Sequence, residues 1–239
     1  MVPNPLMRPR ISRLLAVAAI VFALFLVPFS QGADSGLVLL HRMQTALGGA
    51  AKIAAIHDLD WTVSAETFDH NGKSIGHVTK RTRWIRPNYL RLDQIGPGDT
   101  YVLYFDGTRG WEILPDKPGV RDLVGDELEF AQRYLSAFML NRWVADRMNA
   151  YTITSPSANV IGFSVNGNAS RITLDPRTWL PADTSEWMTV RGVRFPARSL
   201  NVHPEDGSAD IRTTSVKFNS GLAPRDLAAK PDDLKPKMR

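Results

Sequence analysis

From Asp60 onward, apolar and polar residues alternate in short segments that are separated by turn signals. A period of two is typical of strands with one buried face. Asn71-Gly72 lies between two such segments and predicts a tight hairpin, because the turn needs a positive φ that glycine adopts without strain. The chain is therefore predicted to form about eleven consecutive antiparallel strands, which begin near Trp61, Ser74, Tyr89, Thr100, Gly110, Tyr151, Val160, Ala169, Pro181, Val193 and Ser208.

The segment before these strands has a helical period. After the candidate N-caps Asp34 and Ser35, apolar residues recur at helical spacing at Leu37, Leu40, Met43 and Leu47. Gly48-Gly49 ends this predicted helix, and residues 50–56 could form a second short helix.

A second helical pattern interrupts the strands at residues 126–147. It has one apolar stripe and further apolar residues that continue around the helix, so its apolar surface is wider than one packing face requires. The stripe contains Leu128, Ala131, Leu135, Phe138 and Met139, and the continuation contains Phe130, Tyr134, Ala137 and Leu140.

This order of elements predicts a mainly β fold of the α+β class. One antiparallel sheet with so many consecutive hairpins curls into a barrel or part of one. The strand at residues 101–105 is apolar on both faces, so we expect helices to lie against the concave face of the curved sheet. Residues 33–221 are predicted to form one domain. The tail at residues 222–239, which holds several prolines and charges, is predicted to be loosely ordered.

Residues 1–32 have the pattern of an export signal. Arg8, Arg10 and Arg13 precede an apolar run at residues 14–29. Small residues then occupy the two positions that a signal peptidase recognises before its cleavage site. The run is shorter than the roughly 20 residues that a membrane-spanning helix needs. We predict a cleaved signal peptide; the alternative is an uncleaved segment that anchors the protein in the inner membrane.

Composition narrows the possible functions. Hydrophobic residues make up 44% of the chain and charged residues 22%, as in ordinary globular proteins. Without the three arginines of the signal, 26 basic residues face 24 acidic residues, so the net charge falls from +5 to +2. These basic residues are scattered, which argues against a nucleic-acid partner. The chain has no cysteine, which excludes disulfides, thiolate metal sites, a cysteine nucleophile and a lipid-modified N-terminal cysteine.

No pattern of catalytic residues stands out. The five histidines have no metal-ligand spacing, and the chain has neither a Gly-x-Ser-x-Gly elbow nor a glycine-rich phosphate loop. Asp106 is a candidate acid, but Gly107 beside it is typical of a turn. We therefore predict no catalytic residues, no metal site and no cofactor, with a hydrolase that uses an unrecognised site as the catalytic alternative.

Tryptophans are frequent in and beside the predicted strands, at Trp61, Trp84, Trp111, Trp179 and Trp187. Such side chains pack in cores or line cavities for apolar ligands, and sequence periodicity does not separate the two roles.

Several motifs together resemble the LolA-like outer-membrane lipoprotein-sorting family. Residues 84–93 read Trp-Ile-Arg-Pro-Asn-Tyr-Leu-Arg-Leu-Asp, and an apolar strand, Asp106-Gly107 and Trp111 follow. In that family an Arg-Pro pair leads into a strand, and an apolar strand, an Asp-Gly pair and a strand with a tryptophan follow in the same order. Residues 174–181 (Leu-Asp-Pro-Arg-Thr-Trp-Leu-Pro) resemble the second half of sorting-protein relatives.

This resemblance implies an unclosed β-barrel with short helices as a lid over an apolar cavity. It places Arg86 near the lid, and Leu90 where the family often has an aromatic side chain that points into the cavity. Leu90 and Leu92 share one face of their strand by alternation. Together with the apolar strand 101–105, these positions predict the ligand-binding residues Arg86, Leu90, Leu92, Leu103, Phe105 and Trp111.

The function that the resemblance implies is a periplasmic binding or carrier protein for lipid or lipoprotein acyl chains. Its expected partners are the acyl chain itself and envelope lipoprotein-transfer proteins, with transient membrane contact and a monomeric state. The alternative is a structural or interaction module of the cell envelope whose interior is fully packed.

Overall fold

The computed structural model describes residues 33–96, 99–203 and 207–230. The predicted signal peptide and residues 231–239 lie outside this part of the chain. Within it the protein is mainly β, with antiparallel strands and a few short helices, and the curved sheet does not close into a barrel. The predicted fold class is confirmed.

A nine-stranded sheet forms most of the molecule. Its strands lie in the spatial order β10-β11-β12-β1-β2-β3-β4-β5-β6, so that β10 and β6 are the edges. The strands are β1 (Asp58–Phe68), β2 (Ser74–Ile85), β3 (Tyr89–Gly96), β4 (Asp99–Phe105), β5 (Gly110–Leu114), β6 (Lys117–Asp122), β10 (Thr184–Val190), β11 (Val193–His203) and β12 (Gly207–Phe218).

A smaller sheet and the helices complete the fold. The second sheet has the order β7-β8-β9, with β7 (Thr152–Ser157), β8 (Val160–Val165) and β9 (Asn168–Thr173). The helices are α1 (Ala33–Ala46), α2 (Ala50–Ala54), α3 (Asp126–Ser136), α4 (Met139–Arg142), a 3-10 turn (Ala145–Arg147) and α5 (Pro224–Ala228). None of the helices in the described ranges has the length and apolar character needed to cross a bilayer.

The predicted hairpin at Asn71-Gly72 connects β1 to β2. Gly72 has a φ of 77°, a conformation that glycine adopts without steric cost. The Asp69 carboxylate accepts hydrogen bonds from the backbone N–H groups of Asn71 and Lys73, both at 2.9 Å. This Asx-type turn fixes the register of β1 and β2.

The inner face of the large sheet is the face that the helices and the small sheet cover. Inward side chains of the central strands form one continuous core with helix α1 and with the small sheet. The close approach of α1 requires glycine at position 36, because a Cβ there would lie 2.6 Å from the backbone of Thr154 in β7. This packing buries the middle of the inner face completely.

The outer face of β4 and β5 carries a second, smaller core. Val102, Tyr104, Trp111 and Ile113 are buried there, and fully buried Leu227 of helix α5 packs on them. The burial of Leu227 therefore contradicts, for residues 222–230, the prediction that the tail is loosely ordered. Since β4 is apolar on both faces, its outer face needed a cover, and the C-terminal segment supplies it.

Two other predictions need correction. Residues 126–147 form two short helices and a 3-10 turn instead of one helix, because Phe138 is extended (φ −62°, ψ 130°) and its ring packs 5.5 Å from that of Trp84. The chain also has a strand that the pattern missed, β6, whose Pro118 and Gly119 are poor strand formers. Both residues are tolerated because β6 is an edge strand.

Candidate functional site

Four of the six predicted ligand-binding residues lie together in the main core. Leu90, Leu92, Leu103 and Phe105 point inward from the neighbouring strands β3 and β4, with Leu90 opposite Phe105 and Leu92 opposite Leu103. Leu90 is 0% exposed. The alternation therefore located their face correctly. Protein atoms cover Leu90 and Leu103, and Phe105 lines a smaller pocket of about 230 Å³.

Trp111 lies on the opposite face of the sheet from these four residues. It belongs to the outer core, where its ring packs 5.7 Å from that of Tyr104. The guanidinium of buried Arg91 lies 5.4 Å from the Trp111 ring centroid and donates a hydrogen bond to the Leu227 carbonyl at 3.0 Å. Trp111 is therefore separated from the inner face by the sheet.

Arg86 ties the end of β2 to helix α2. Its Nε donates to the Ile56 carbonyl at 3.0 Å, and its Nη2 donates to the carbonyls of Ile56 at 2.9 Å and Ile53 at 3.2 Å. Its guanidinium also lies 5.3 Å from the Trp84 ring centroid. Burial lowers the pKa of Arg86, and the positive charge of Arg147 adds to this. All of these hydrogen bonds go to backbone carbonyls, so Arg86 stabilises the contact between the end of β2 and helix α2.

A groove of about 650 Å³ lies near the β10 edge of the large sheet. This volume lies within the range of about 300–1,000 Å³ that is typical of small-molecule sites. One wall is the inner face of β1 and β10–β12, and the other wall consists of the α3–α4 region, β9 and the loop that follows β9. We call this cavity the edge groove.

The sheet wall of the edge groove is aromatic and firmly held. Trp61 and Trp187 line it. The Trp61 ring packs edge-on at 5.3 Å from fully buried Phe195, and its Nε1 donates to the hydroxyl of Thr213 at 2.9 Å. Because the polar end of this indole is already hydrogen-bonded, its apolar surface is what it offers to the groove.

The helical wall supplies further apolar surface, through Tyr134, Ala137, Phe138, Met139 and Trp143. Trp143 packs against the same Phe195 from the other side, with ring centroids 6.4 Å apart. Burial raises the pKa of Tyr134, so its side chain stays a neutral phenol. The two walls therefore form an apolar, largely aromatic trough.

Polar groups lie on both walls of the groove, on α4, β9 and the loop after β9 and, opposite them, on β10 and β11. Arg142 of α4 donates from Nη1 to the carbonyl of Arg171 in β9 at 3.0 Å. Burial lowers the pKa of Arg142, and the negative charge of Asp183 opposes this. Thr184 and Ser199 add hydroxyls that lie 3.4 Å apart. The groove therefore combines an apolar trough with a polar margin.

The described residues contain no constellation that suggests catalysis at this groove. No group of three or more His, Asp or Glu side chains among them is arranged to hold a metal ion. Ser64 and His77 are hydrogen-bonded at 3.0 Å on neighbouring strands, but His77 is exposed and neither residue lines the edge groove. His41 contacts Asp146 at 3.5 Å with its side chain 61% exposed, so it too lacks an enclosed site.

The sequence did contain signals for the edge groove. Trp61 and Trp187 belong to the tryptophans noted as possible cavity residues. Phe138 and Met139 belong to the apolar stripe of residues 126–147, and Tyr134 and Ala137 to the apolar surface that continues beyond it. Periodicity shows that a side chain is apolar and inward, but it does not show whether another element packs on it. Nothing in the sequence pattern marked Arg142, Trp143 or Arg171 as residues of a groove.

No protein-family model matches the chain, and no curated protein matches it by sequence. Solved structures do resemble it. A domain assigned to outer-membrane lipoprotein sorting from Vibrio parahaemolyticus is 14% identical, with a TM-score of 0.51 over 82% of this chain and 97% of that chain.

Two more solved structures are similar to the same extent. A DUF1329 family protein from Desulfovibrio piger is 15% identical, with a TM-score of 0.51 over 82% of this chain and 96% of that one. A LolA superfamily protein from Nitrosomonas europaea is 10% identical, with a TM-score of 0.52 over 79% of this chain and 97% of that one. At such identities the similarity shows a shared fold.

Proposed function

We propose that this chain, whose fold is that of the LolA superfamily, is a non-catalytic binding or carrier protein that holds a lipid or lipoprotein acyl chain in the edge groove. The observation that carries this proposal is the aromatic trough of about 650 Å³ between the open side of the sheet and the α3–α4 region. The related domain that is assigned to lipoprotein sorting supports the same class of ligand.

The energetics of acyl burial suffice for this function without any reactive group. Burying one methylene contributes about 0.8 kcal/mol, so a chain of about sixteen carbons offers roughly 13 kcal/mol before costs. Ordering of the chain and loss of its free motion offset a large part of this gain. The remainder is compatible with a ligand that is bound and later released.

Filling the edge groove is expected to abolish binding of an apolar probe. Ser199 lines the groove from β11, so Ser199→Trp places an indole in the trough. We expect Nile red to bind the unaltered protein at micromolar or tighter concentrations, and we expect its affinity for this variant to fall about tenfold or more. Fluorescence titration measures both values.

The matched control is Ser215→Trp, which makes the same change at an exposed position of β12. It should leave Nile red affinity unchanged, and melting curves should show that both variants are folded. Equal Nile red affinity in the unaltered protein and in Ser199→Trp would remove the edge groove as the binding site. Mass spectrometry of lipid extracted from protein purified from its native envelope would identify the natural ligand.

A structural or interaction module of the envelope is the second candidate. The observation that favours it is the filled core in front of Leu90 and Leu103, where the resemblance implied a cavity. This candidate expects a folded protein that binds no acyl probe and that carries no extractable lipid. The Nile red titration therefore separates the two candidates.

We also propose that the protein is exported to the periplasm. The basic and apolar pattern of residues 1–32 supports this proposal, as do solved structures of the same fold, one of which is assigned to outer-membrane lipoprotein sorting. We expect N-terminal sequencing of protein from the envelope to start near Ala33. Recovery of a chain that begins at Met1 in washed membranes would indicate the anchored alternative.

A further inference from the structure

Arg142 is placed at the edge groove without a charge partner. Arg142 lines the groove, and no carboxylate in the described ranges lies within 4.0 Å of its guanidinium. Its one hydrogen bond there is from Nη1 to the Arg171 carbonyl, and its buried Nε has no hydrogen-bond partner. Its Nη2 makes no hydrogen bond to the described residues and supplies the donors left for a ligand, whereas the buried Nε is shielded from the groove.

Leaving a guanidinium half-buried with unused donors is unfavourable, because burial removes water that would otherwise bind them. The ring of Phe163, 5.9 Å from the Arg142 guanidinium carbon, holds the side chain from one side. The exposed Arg171 adds a second positive charge at the groove, while Asp183 supplies one negative charge. The balance of these three charges is positive, so this part of the groove favours an anion.

The hydroxyls of Thr184 and Ser199 line the same groove. Thr184 already donates from Oγ1 to the Asp183 carboxylate at 3.3 Å, so Ser199 supplies the hydroxyl that can donate to an oxyanion, as a guanidinium also can. An arginine also matches carboxylate and phosphate oxygens through paired N–H donors. The groove thus presents an apolar trough for a hydrocarbon chain together with donors for a charged oxygen group.

We propose that the ligand of the edge groove is an anionic amphiphile, whose carboxylate or phosphate oxygens bind Arg142 while its hydrocarbon chain lies in the aromatic trough. This inference rests on the proposed function and specifies the chemical class of its ligand. A neutral amphiphile would fill the trough equally well, but its oxygen would accept only an ordinary hydrogen bond from Arg142 in place of a charge-assisted one.

Three ligands with the same chain length test the inference by displacing Nile red: dodecanoate, dodecyl phosphate and dodecanol. We expect the protein to bind at least one of the two anions about tenfold or more tightly than dodecanol, as a charge-assisted hydrogen bond predicts. The ranking of the two anions tells a carboxylate source from a phosphate source. All ligands are used below their aggregation concentrations.

Substitution of Arg142 localises the effect. In Arg142→Gln the preference for the anion should disappear and dodecanol affinity should stay unchanged, while Arg142→Lys should keep part of the preference. Arg177→Gln, an exposed arginine outside the groove, is the matched control and should behave like the unaltered protein. Melting curves establish that each variant is folded.

The outcomes separate this inference from the proposed function. Equal affinity of the unaltered protein for all three ligands overturns the anionic ligand and leaves the acyl-binding function standing. An equal loss of all three affinities in Arg142→Gln assigns Arg142 a structural role and also overturns the inference. If none of the three ligands displaces Nile red and Nile red itself does not bind, both proposals fail.

Discussion

Replacing Leu90 by glutamate is expected to unfold the domain. Leu90 is 0% exposed and lies between Trp84 of β2 and Phe105 of β4 in the sheet register. A carboxylate at this position would lose its water without gaining a partner, which costs several kcal/mol. Since the whole stability of a domain is about 5–15 kcal/mol, this single change is comparable to the total.

Chemical denaturation of purified variants measures this effect, with Leu200→Glu as the matched control. Leu200 is 51% exposed on β11, so the same substitution there should lower the free energy of unfolding by less than about 1 kcal/mol, including modest repulsion from Asp210 on the next strand. A Leu90→Glu protein with near-normal stability would mean that water reaches this position and that the ligand cavity extends under the central strands.

Replacing Arg86 by leucine is expected to lower the free energy of unfolding by about 3 kcal/mol. The substitution removes the hydrogen bonds to the carbonyls of Ile53 and Ile56, which lie at the end of helix α2 and beyond it. The Ile53 carbonyl keeps the hydrogen bond from the Ile56 N–H at 3.1 Å, whereas the Ile56 carbonyl, beyond the end of the helix, loses its charged donor, which costs about 1.5–3 kcal/mol. A position at the rim of a ligand cavity would have predicted little loss of stability.

Arg86→Lys should show an intermediate loss, because one ammonium cannot reproduce the planar fork of a guanidinium. Arg177→Leu is the control, since Arg177 is exposed and its side chain makes no hydrogen bond to other described residues. If Arg86→Leu melts like the unaltered protein but alters release of Nile red, Arg86 acts on the ligand as the resemblance implied. Thermal melting and Nile red release kinetics on the same samples decide between these roles.

The predicted ligand-binding positions and the edge groove lie apart because two kinds of information are needed to locate a cavity. The alternation in residues 89–95 identified Leu90 and Leu92 as inward, and both are buried as expected. Whether an inward face meets another element or a space depends on residues far away in sequence, here those of helix α1 and the small sheet. For the same reason, Trp61 lies at the edge groove and Trp84 lies in the closed core, although both tryptophans occur in strands.

The C-terminal segment is a second case in which contacts with distant residues, and not the local composition, decide the structure. Prolines and charges at residues 222–239 predict a loose tail, yet Asp58 of β1 accepts hydrogen bonds from the Ser220 N–H at 2.7 Å and the Gly221 N–H at 3.0 Å. These contacts direct the chain across the outer face, where Leu227 is fully buried. The local composition gave no sign of this, because the partners of the segment are on β1, β3 and β4.

The sequence by itself determined most of the strands, the tight turn at Gly72 and the mainly β fold class of this protein. Those features depend on neighbours along the chain. Side chains two residues apart share a strand face, and Gly72 adopts the positive φ of its turn without contacts from distant segments. The tertiary structure decided which inward positions are filled, which cover reaches the outer face, and where an open groove remains beside Arg142. Those outcomes depend on contacts between distant segments, for which a single sequence has no periodic signal.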